Sequence, residues 1–482
     1  MSMGKREDKQ QPIWVEASEL PRSAGHRFYE KLNELLREAD FDRKVEELCR
    51  AYYQADGTGG RPSIPPGVYF RMLFVGYFEG IESERGVAWR CADSLSLRDF
   101  LGLLPQESVP DHSSMSRIRT RLAGSVYEEV FGLVLSIVDK KGLLRGKVAG
   151  VDSTYLRADA SMKAIVRKDT EQSYQEYLKK LCEEQGIKNP TVDDCRRVDR
   201  KRKGKRTSNR DWKSKTDADA RIARLKDGRT RLAYKAEHVV DMDTGAVLSA
   251  EIHSADEGDT ATMEANLEQA RENIDAAKQT ETDSKKQGAD DDDEPRGPTS
   301  PTRTIEVVGD KGYHKAELLQ SLKDKGYRTY ISVPKQTGTR HWGDKGGYYT
   351  ARTFYANRDR VAKPKGKALL RRRGELLERT FAHACETGGH RRVRLRGREN
   401  VRKRYLLQVA AVNLGLVMRS LFGRGTPRQD AEARKGRFVL ILLLWATLDA
   451  VSRFAARAES AFHLALRWLT ADSDRQFRAV VG

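Results

Sequence analysis

The sequence is poor in cysteine and lacks the cysteine spacings of stapled or zinc-bound folds. Its 482 residues include five cysteines, Cys49, Cys91, Cys182, Cys195 and Cys385, which lie far apart and form no C-x-x-C pair. An odd number of widely spaced cysteines argues against a disulfide scaffold and against a structural zinc site. The pattern fits a protein of the reducing cytosol.

Apolar targeting and membrane-spanning segments are also lacking. The N-terminal stretch MSMGKREDKQQP has no apolar core of the kind that signal peptides carry. The longest apolar run, Phe438–Leu448, is far shorter than the roughly 20 residues that a membrane-spanning helix needs. We therefore expect no membrane association and a cytoplasmic protein.

Glycine-rich phosphate loops are missing, whereas positive charge is abundant. Neither G-x-G-x-x-G nor G-x-x-x-x-G-K-[ST] follows a strand pattern, which disfavours dinucleotide-binding and P-loop proteins. Lys and Arg total 89 against 70 Asp and Glu, a formal charge of +19. This excess favours a polyanionic partner, most often nucleic acid. The densest block, residues 196–215, has 11 basic and two acidic residues and is typical of a flexible arm that contacts nucleic acid.

Hydrophobic periodicity predicts a helical region followed by an α/β region. Apolar spacings of three and four predict helices over 27–140, ending in a basic helix capped by Asp111, Ser113 or Ser114. The later patterns, without an excursion at 156–228, predict a strand, a hairpin and then alternating helices and strands, which makes a mixed sheet. Residues 336–365 are predicted to be irregular.

These patterns divide the chain into four parts. We predict an extended or disordered N-terminus (1–26), a helical DNA-binding domain (27–140), an α/β domain (145–420) and a helical C-terminal tail (421–482). The α/β domain carries a basic insertion at about 156–228 and an acidic linker at about 278–303.

Two aspartates stand at the ends of predicted strands. Asp152 ends the stretch VAGVD, and Asp310 ends IEVVGD. If these strands are neighbours, both carboxylates converge at one edge of the sheet. Paired carboxylates repel each other, so a site that keeps both ionised needs a hard cation such as Mg²⁺ or Mn²⁺. The alternative for each aspartate alone is a helix cap or a turn.

A third carboxylate would complete a site for two metal ions, which suits phosphodiester chemistry. Its candidates lie on predicted helices near the end of the α/β region: Glu375, Glu378, Glu386 and Glu399. Arginines surround Glu399, so an ion pair is the simpler role for it. Spacing alone does not choose among the four.

At these residues the sequence resembles the DDE transposases of bacterial insertion sequences, within the RNase H-like superfamily. The resemblance runs over about 28–125 and 145–420. It is carried by five stretches: residues 69–103 with 109–122, VAGVDSTYLRADAS at 148–161, residues 215–260, VVGDKGYHK at 307–315, and residues 374–419 beginning GELLERTF.

The resemblance implies an RNase H-like mixed sheet flanked by helices, with an all-α N-terminal domain and a helical C-terminal extension. It also implies Asp152, Asp310 and Glu378 as catalytic and metal-binding residues, with two Mg²⁺ ions for which Mn²⁺ substitutes. Arg371, Arg372 and Arg373 stand where the wider superfamily has a Tyr and an Arg before this glutamate, so Glu399 stays in reserve.

The implied function is a transposase that cleaves the ends of its insertion sequence and joins the freed 3′-hydroxyl to target DNA, without ATP. Its partners are double-stranded DNA, at terminal inverted repeats and target sites, and a second copy of the chain, because two ends are cut together. The alternatives are a metal-dependent nuclease that does not join, and an inactive DNA-binding relic. The predicted DNA contacts come from three basic segments: Arg117, Arg119 and Arg121; Arg202 and Lys203; and Arg391, Arg392, Arg394 and Arg396.

Overall fold

A computed structural model shows the chain as two units. The large unit is Met1–Thr426, and the second is Pro427–Gly482. The structure describes residues 16, 26–53, 63–201, 208–286, 304–335, 342 and 345–432, without the side chains of 26, 280–286, 345 and 346. The predicted N-terminal extension, Arg202 and Lys203, most of the acidic linker and most of the C-terminal tail lie outside these residues.

The first part of the large unit is helical, as predicted. Its helices are α1 (His26–Glu38), α2 (Phe41–Cys49), α3 (Pro66–Phe78), α4 (Glu84–Ala92), α5 (Leu95–Phe100), α6 (His112–Arg121) and α7 (Gly124–Lys140). Helix α3 is buried nearly all round, because its sequence is apolar on every face. Asp111 caps α6, since its carboxylate accepts the backbone N–H of Ser114 at 2.7 Å.

The rest of the large unit is α/β. Its elements are β1 (Val148–Arg157), β2 (Ile165–Arg167), α8 (Tyr174–Glu184), α9 (Val192–Lys201), β3 (Trp212–Ser214), β4 (Arg221–Arg224), β5 (Thr230–Asp241), β6 (Val247–Ser254), α10 (Asp259–Lys286), β7 (Ile305–Gly309), α11 (Ala316–Asp324), β8 (Tyr327–Ile331), α12 (Lys345–Ala362), α13 (Pro364–Ala382) and α14 (Arg398–Phe422). Two expectations differ from this order. Helix α12 occupies most of the segment predicted to be irregular, and α10 continues into the predicted linker.

The main sheet has the order β4-β5-β1-β7-β8, and β6 also pairs with β5. Strands β1, β7 and β8 are parallel, whereas β5 is antiparallel to β1, β4 and β6. Strands β2 and β3 form a separate pair within the insertion. The predicted mixed sheet with flanking helices is therefore confirmed.

Helix α14 connects the helical part to the sheet. It packs against α7, α3 and β6, and most of its residues are buried. Arg402 on α14 binds Glu251 of β6 with two nitrogens, at 2.7 and 2.8 Å, and Asn413 bonds the backbone of Val247. One helical segment of the described residues, Arg398–Glu432, is long and apolar enough to span a membrane, and it contains α14. However, 67% of the most apolar window is buried, as in a core helix.

The corner between α12 and α13 needs a glycine. A Cβ on Gly366 would overlap the carbonyl oxygen of Arg360 and lie 2.8 Å from the Cα of Val361, and both atoms belong to the backbone. A Cβ on Gly374, further along α13, would meet no atom within 4 Å. A substitution at Gly366 therefore tests the packing at this corner, whereas the same substitution at Gly374 tests only the helix propensity of α13.

We expect Gly366→Ala to destabilise the protein by about 1–3 kcal/mol, because the backbone must move to admit the methyl group. Gly374→Ala is the matched control and should stabilise by about 0.5–1 kcal/mol, since alanine favours a helix interior. Urea unfolding of both variants measures these differences. Equal stability of the two variants would show that the corner does not constrain α13.

Candidate active site

Asp152 lies inside β1, at the point where β1 leaves its parallel neighbour. The strand was predicted to end near this residue, but it continues to Arg157. Pairing of β1 with β7 covers Val148–Gly150, and beyond Gly150 the pairing of β1 in the main sheet is with β5 alone. Asp152 therefore stands at the carboxyl-end edge of the parallel part of the sheet.

Asp310 follows β7 at the corresponding position. Gly150 is level with Val308, so Asp152 and Asp310 each come two residues after this pair. Adjacent strands lie about 4.8 Å apart, which places the two aspartates side by side. The Asp310 carboxylate also accepts the backbone N–H of Gly312 at 2.8 Å and so begins a 3₁₀ turn over Lys311–Tyr313. We call the edge formed by Asp152 and Asp310 the carboxylate edge.

The two carboxylates influence each other electrostatically. Burial raises the pKa of Asp152, the positive charge of Arg373 opposes this rise, and the negative charge of Asp310 adds to it. Arg373 on α13 lies 2.8 Å from Asp152 Oδ2 through Nη2, and its Nε donates to the carbonyl of Val151 at 3.1 Å. A cationic group thus already sits against Asp152, as expected for a carboxylate that needs a positive partner.

Helix α13 packs directly on this part of the sheet. A Cβ on Gly150 would lie 2.7 Å from Leu377 Cδ1, so the glycine lets α13 approach β1 closely. His238, opposite Asp152 on β5, contacts Thr380 at 3.1 Å and stacks on Phe381 with ring centroids 4.1 Å apart. The helix that bears the predicted third acid is therefore held over the carboxylate edge.

The candidate third acids do not join the two aspartates. Glu378 follows the buried Leu377 but is itself exposed. Glu399 lies in the first turn of α14, 3.7 Å from Lys403, while Glu375 pairs with Arg379 and Glu386 with Arg391. Among the described residues, no three Asp, Glu, His or Cys side chains are arranged to hold a metal ion.

Asp259 is an acidic residue near the site whose role the sequence interpretation missed. It is the first residue of α10. Its Oδ1 accepts the hydroxyl of Ser153 at 3.0 Å and lies 3.4 Å from Lys235 Nζ. A Cβ on Gly312 would lie 2.8 Å from Asp259 Oδ2 and 3.0 Å from Asp310 Oδ1, so the glycine separates two neighbouring carboxylates.

A buried polar network anchors the turn after Asp310. The carboxylate of Glu237, fully buried on β5, accepts the hydroxyl of Tyr313 at 2.7 Å and that of Thr262 at 3.1 Å. Asn266 donates to the same carboxylate at 3.3 Å, and Lys235 donates to Thr262 at 3.0 Å. Tyr313 thus ties the Asp310 turn to β5 and α10. Lys235 is itself buried, and its ammonium group is satisfied by Thr262 and Asp259.

The basic residues of α6 have two different environments. Arg117 and Arg121 are exposed and line an open groove of about 640 Å³. Arg119 is buried and ion-paired with Glu84 of α4. The burial of Arg119 favours a role in packing α6 on α4. Arg117 and Arg121 are exposed, and the guanidinium of Arg121 lies over the ring of Tyr53, 4.7 Å from its centroid.

The basic segment before α14, residues 391–396, carries four arginines that form ion pairs with carboxylates. Arg391 pairs with Glu386, and Arg394 lies 2.6 Å from Glu82. Arg392 and Arg396 share Asp159, at 2.8 and 3.3 Å. Arg392 and Arg396 also line a cavity of about 470 Å³, together with three further basic residues, Arg157, Lys163 and Arg231.

We expect Tyr313→Phe to cost about 1–3 kcal/mol of stability, because the buried Glu237 carboxylate loses a hydrogen-bond donor. The matched control is Tyr155→Phe. Tyr155 on β1 is 37% exposed, so water can hydrogen-bond its hydroxyl group and the loss of this group should cost less. Urea unfolding measures both variants. Equal effects of the two substitutions would exclude a special role for the Tyr313 hydroxyl.

Comparison with known families agrees with this arrangement. A transposase domain family, DUF772, matches residues 17–121, and the transposase DDE domain family matches residues 205–414. The second range includes Asp310 and Glu378, whereas Asp152 precedes it. No curated protein and no solved structure matches the chain. The two matched ranges together span more than half of the 482 residues, and the chain therefore belongs to the DDE transposases.

Proposed function

We propose that the chain cleaves DNA at the ends of an insertion sequence and joins the freed 3′-hydroxyl ends to target DNA, with Asp152 and Asp310 at the centre of the reaction. The observation that carries this proposal is the position of both carboxylates, two residues beyond the same Gly150–Val308 pair of parallel strands. Such a pair presents several oxygen ligands at one edge of the sheet.

The chemistry of the two carboxylates fits a hard divalent cation. Carboxylate oxygens are the ligands that Mg²⁺ and Mn²⁺ prefer, and members of the DDE family typically use divalent metals. We propose Asp152, Asp310 and Glu378 as the residues that hold two such ions, with Glu378, which does not lie with the two aspartates in this structure, joining them when metal binds. When bound, the metals would activate the attacking oxygen and stabilise the leaving oxygen of a phosphodiester.

The surrounding residues keep the carboxylate edge in place. Arg373 is ion-paired with Asp152, and its positive charge opposes the rise that burial causes in the pKa of this carboxyl group. Tyr313 anchors the Asp310 turn on Glu237, and Lys235 balances the charge of Asp259 behind this turn. We propose Tyr313, Lys235 and Asp259 as positioning residues of the active site.

DNA binding is proposed to use the exposed basic surface. Arg117 and Arg121 on α6 would contact phosphates, and so would Arg391, Arg392, Arg394 and Arg396 after exchanging their carboxylate partners. Arg202 and Lys203 remain predicted contacts. Because two ends must be cut together, we propose at least a dimer on DNA, acting in the bacterial cytoplasm at the nucleoid.

We expect Asp152→Asn and Asp310→Asn each to lower cleavage of DNA that carries the element's ends by about a thousandfold or more. The reason is that losing one ligand of a catalytic metal removes several kcal/mol of transition-state stabilisation. The assay follows nicked and joined products in Mg²⁺, with DNA binding measured in parallel.

Asp275→Asn, an exposed position on α10, is the matched control and should keep full activity. Retained binding with lost cleavage would support catalysis by the aspartates. Unchanged cleavage in Asp152→Asn or Asp310→Asn would overturn the proposed site. Nicked products without joined products would identify a nuclease instead of a strand-transfer enzyme.

The third acid is tested by comparing Glu378→Gln with Glu399→Gln. We expect Glu378→Gln to abolish cleavage while folding normally, because Glu378 is exposed and makes no buried contact. Glu399→Gln should keep activity, since it removes only an ion pair with Lys403 that is worth less than about 1 kcal/mol. The opposite result would assign the third position to Glu399.

A further inference from the structure

A second candidate site lies where the N-terminal helices meet the segment before α14. It is a cavity of about 240 Å³, which we call the junction cavity. Its wall includes Ser83 and Arg85 at the start of α4, Ser116 on α6, and Arg392 and Arg404 on the other side. Asp152, Asp310 and Glu378 are not among its lining residues, so the junction cavity is distinct from the carboxylate edge.

The unusual member of this wall is Arg404. It lies in the second turn of α14 and is only 6% exposed. Its terminal nitrogens Nη1 and Nη2 are buried and have no hydrogen-bond partner among the described residues. Gly76 on α3 makes room for the guanidinium, since a Cβ there would lie 2.5 Å from Nη2.

An arrangement of this kind is costly without a ligand. An arginine stays charged in proteins, and a buried charge without hydrogen bonds carries a large desolvation penalty. Native structures satisfy nearly all their buried polar groups, so an orphaned one indicates an absent partner. A guanidinium donates hydrogen bonds only, and the absent partner must therefore offer acceptors.

The other charges around the cavity point to an anion. Glu84 is paired with Arg119, and Glu82 is paired with Arg394, so both carboxylates of the wall already have cationic partners. Arg85 contacts Nε2 of His112 at 3.3 Å. Burial and the charge of Arg404 lower the pKa of His390, which keeps its ring neutral.

We propose that the junction cavity binds a phosphate group, with Arg404 at its base and Arg85 at its rim. A guanidinium matches two oxygens of a phosphate with parallel N–H donors, and the hydroxyls of Ser83 and Ser116 can donate to a third. The volume of the cavity exceeds that of several water molecules, which allows the phosphate to carry part of a nucleotide.

The position of the junction cavity favours a backbone phosphate of DNA as the phosphate that it binds. The open groove of α6 shares His112 and Ser116 with the junction cavity, and the basic cavity at Asp159 shares Arg392 with it. The three concavities thus adjoin one another across the surface of a chain with a charge of +19. The assignment of the phosphate to DNA rests on the proposed function, whereas the binding of a phosphate group does not.

The test uses the full chain, inorganic phosphate and a short DNA duplex. We expect phosphate to raise the Tm of the wild-type protein saturably, because a ligand bound only by the folded state stabilises it. Arg404→Met should abolish this rise. In phosphate-free buffer the variant should be at least as stable as the wild type, because the unpaired buried charge is gone.

Two further variants separate phosphate binding from folding. Lys403 is also buried, but its ammonium group donates to the carbonyl of Leu122 at 2.7 Å. Lys403→Met should therefore lower the Tm and keep the phosphate-induced rise. Arg85→Gln changes an exposed rim residue, so it should fold normally and bind phosphate more weakly.

The duplex identifies the source of the phosphate. If Arg404→Met binds DNA about tenfold or more weakly and lowers the salt dependence of binding by about one phosphate contact, the cavity holds a backbone phosphate. If DNA binding is unchanged while phosphate binding is lost, the cavity serves a free phosphate compound. If phosphate leaves the wild-type Tm unchanged, or Arg85→Gln and Arg404→Met respond to phosphate as the wild type does, the proposal is overturned.

Discussion

The parallel pairing of β1 with β7 is the constraint on which the active site depends. Three residues of β1 pair with three residues of β7, and each strand then leads to an aspartate two residues further on. Parallel strands present their carboxyl ends at one edge, so this short contact brings together residues that are more than 150 positions apart in sequence. Gly150 strengthens the constraint, because its missing side chain lets Leu377 of α13 lie directly on the strand.

Neighbouring positive charges and hydrogen-bond donors stabilise the acidic residues at and near the carboxylate edge. Asp152, Asp310 and Asp259 lie close to one another, and each additional negative charge raises the cost of keeping the others ionised. Arg373 and Lys235 supply positive charge from α13 and β5. Glu237, fully buried, is stabilised instead by hydroxyl and amide donors from Tyr313, Thr262 and Asn266.

The helical region and the α/β region pack against each other through α14. Helix α14 packs on α3, α7 and β6 together, and Arg402 bridges Glu128 of α7 and Glu251 of β6. The surface on α6 that we propose for DNA binding is thereby joined to the sheet that carries the aspartates. The junction cavity lies at this contact, where arginines of both regions face one space.

The sequence alone determined the order of most of the main elements, the two aspartates that follow apolar strand patterns, a capped start of α6 and the family resemblance, because each is a local pattern of apolar spacing or a short motif. Tertiary structure alone decided the rest. Arg119 is buried and Arg117 exposed, and Asp259 and Gly312 meet beside Asp310. The terminal nitrogens of Arg404 are buried without a hydrogen-bond partner among the described residues. Helix α12 forms where the glycine-rich, basic sequence predicted an irregular segment. Such outcomes depend on which surfaces pack against one another, and a linear pattern does not contain that information.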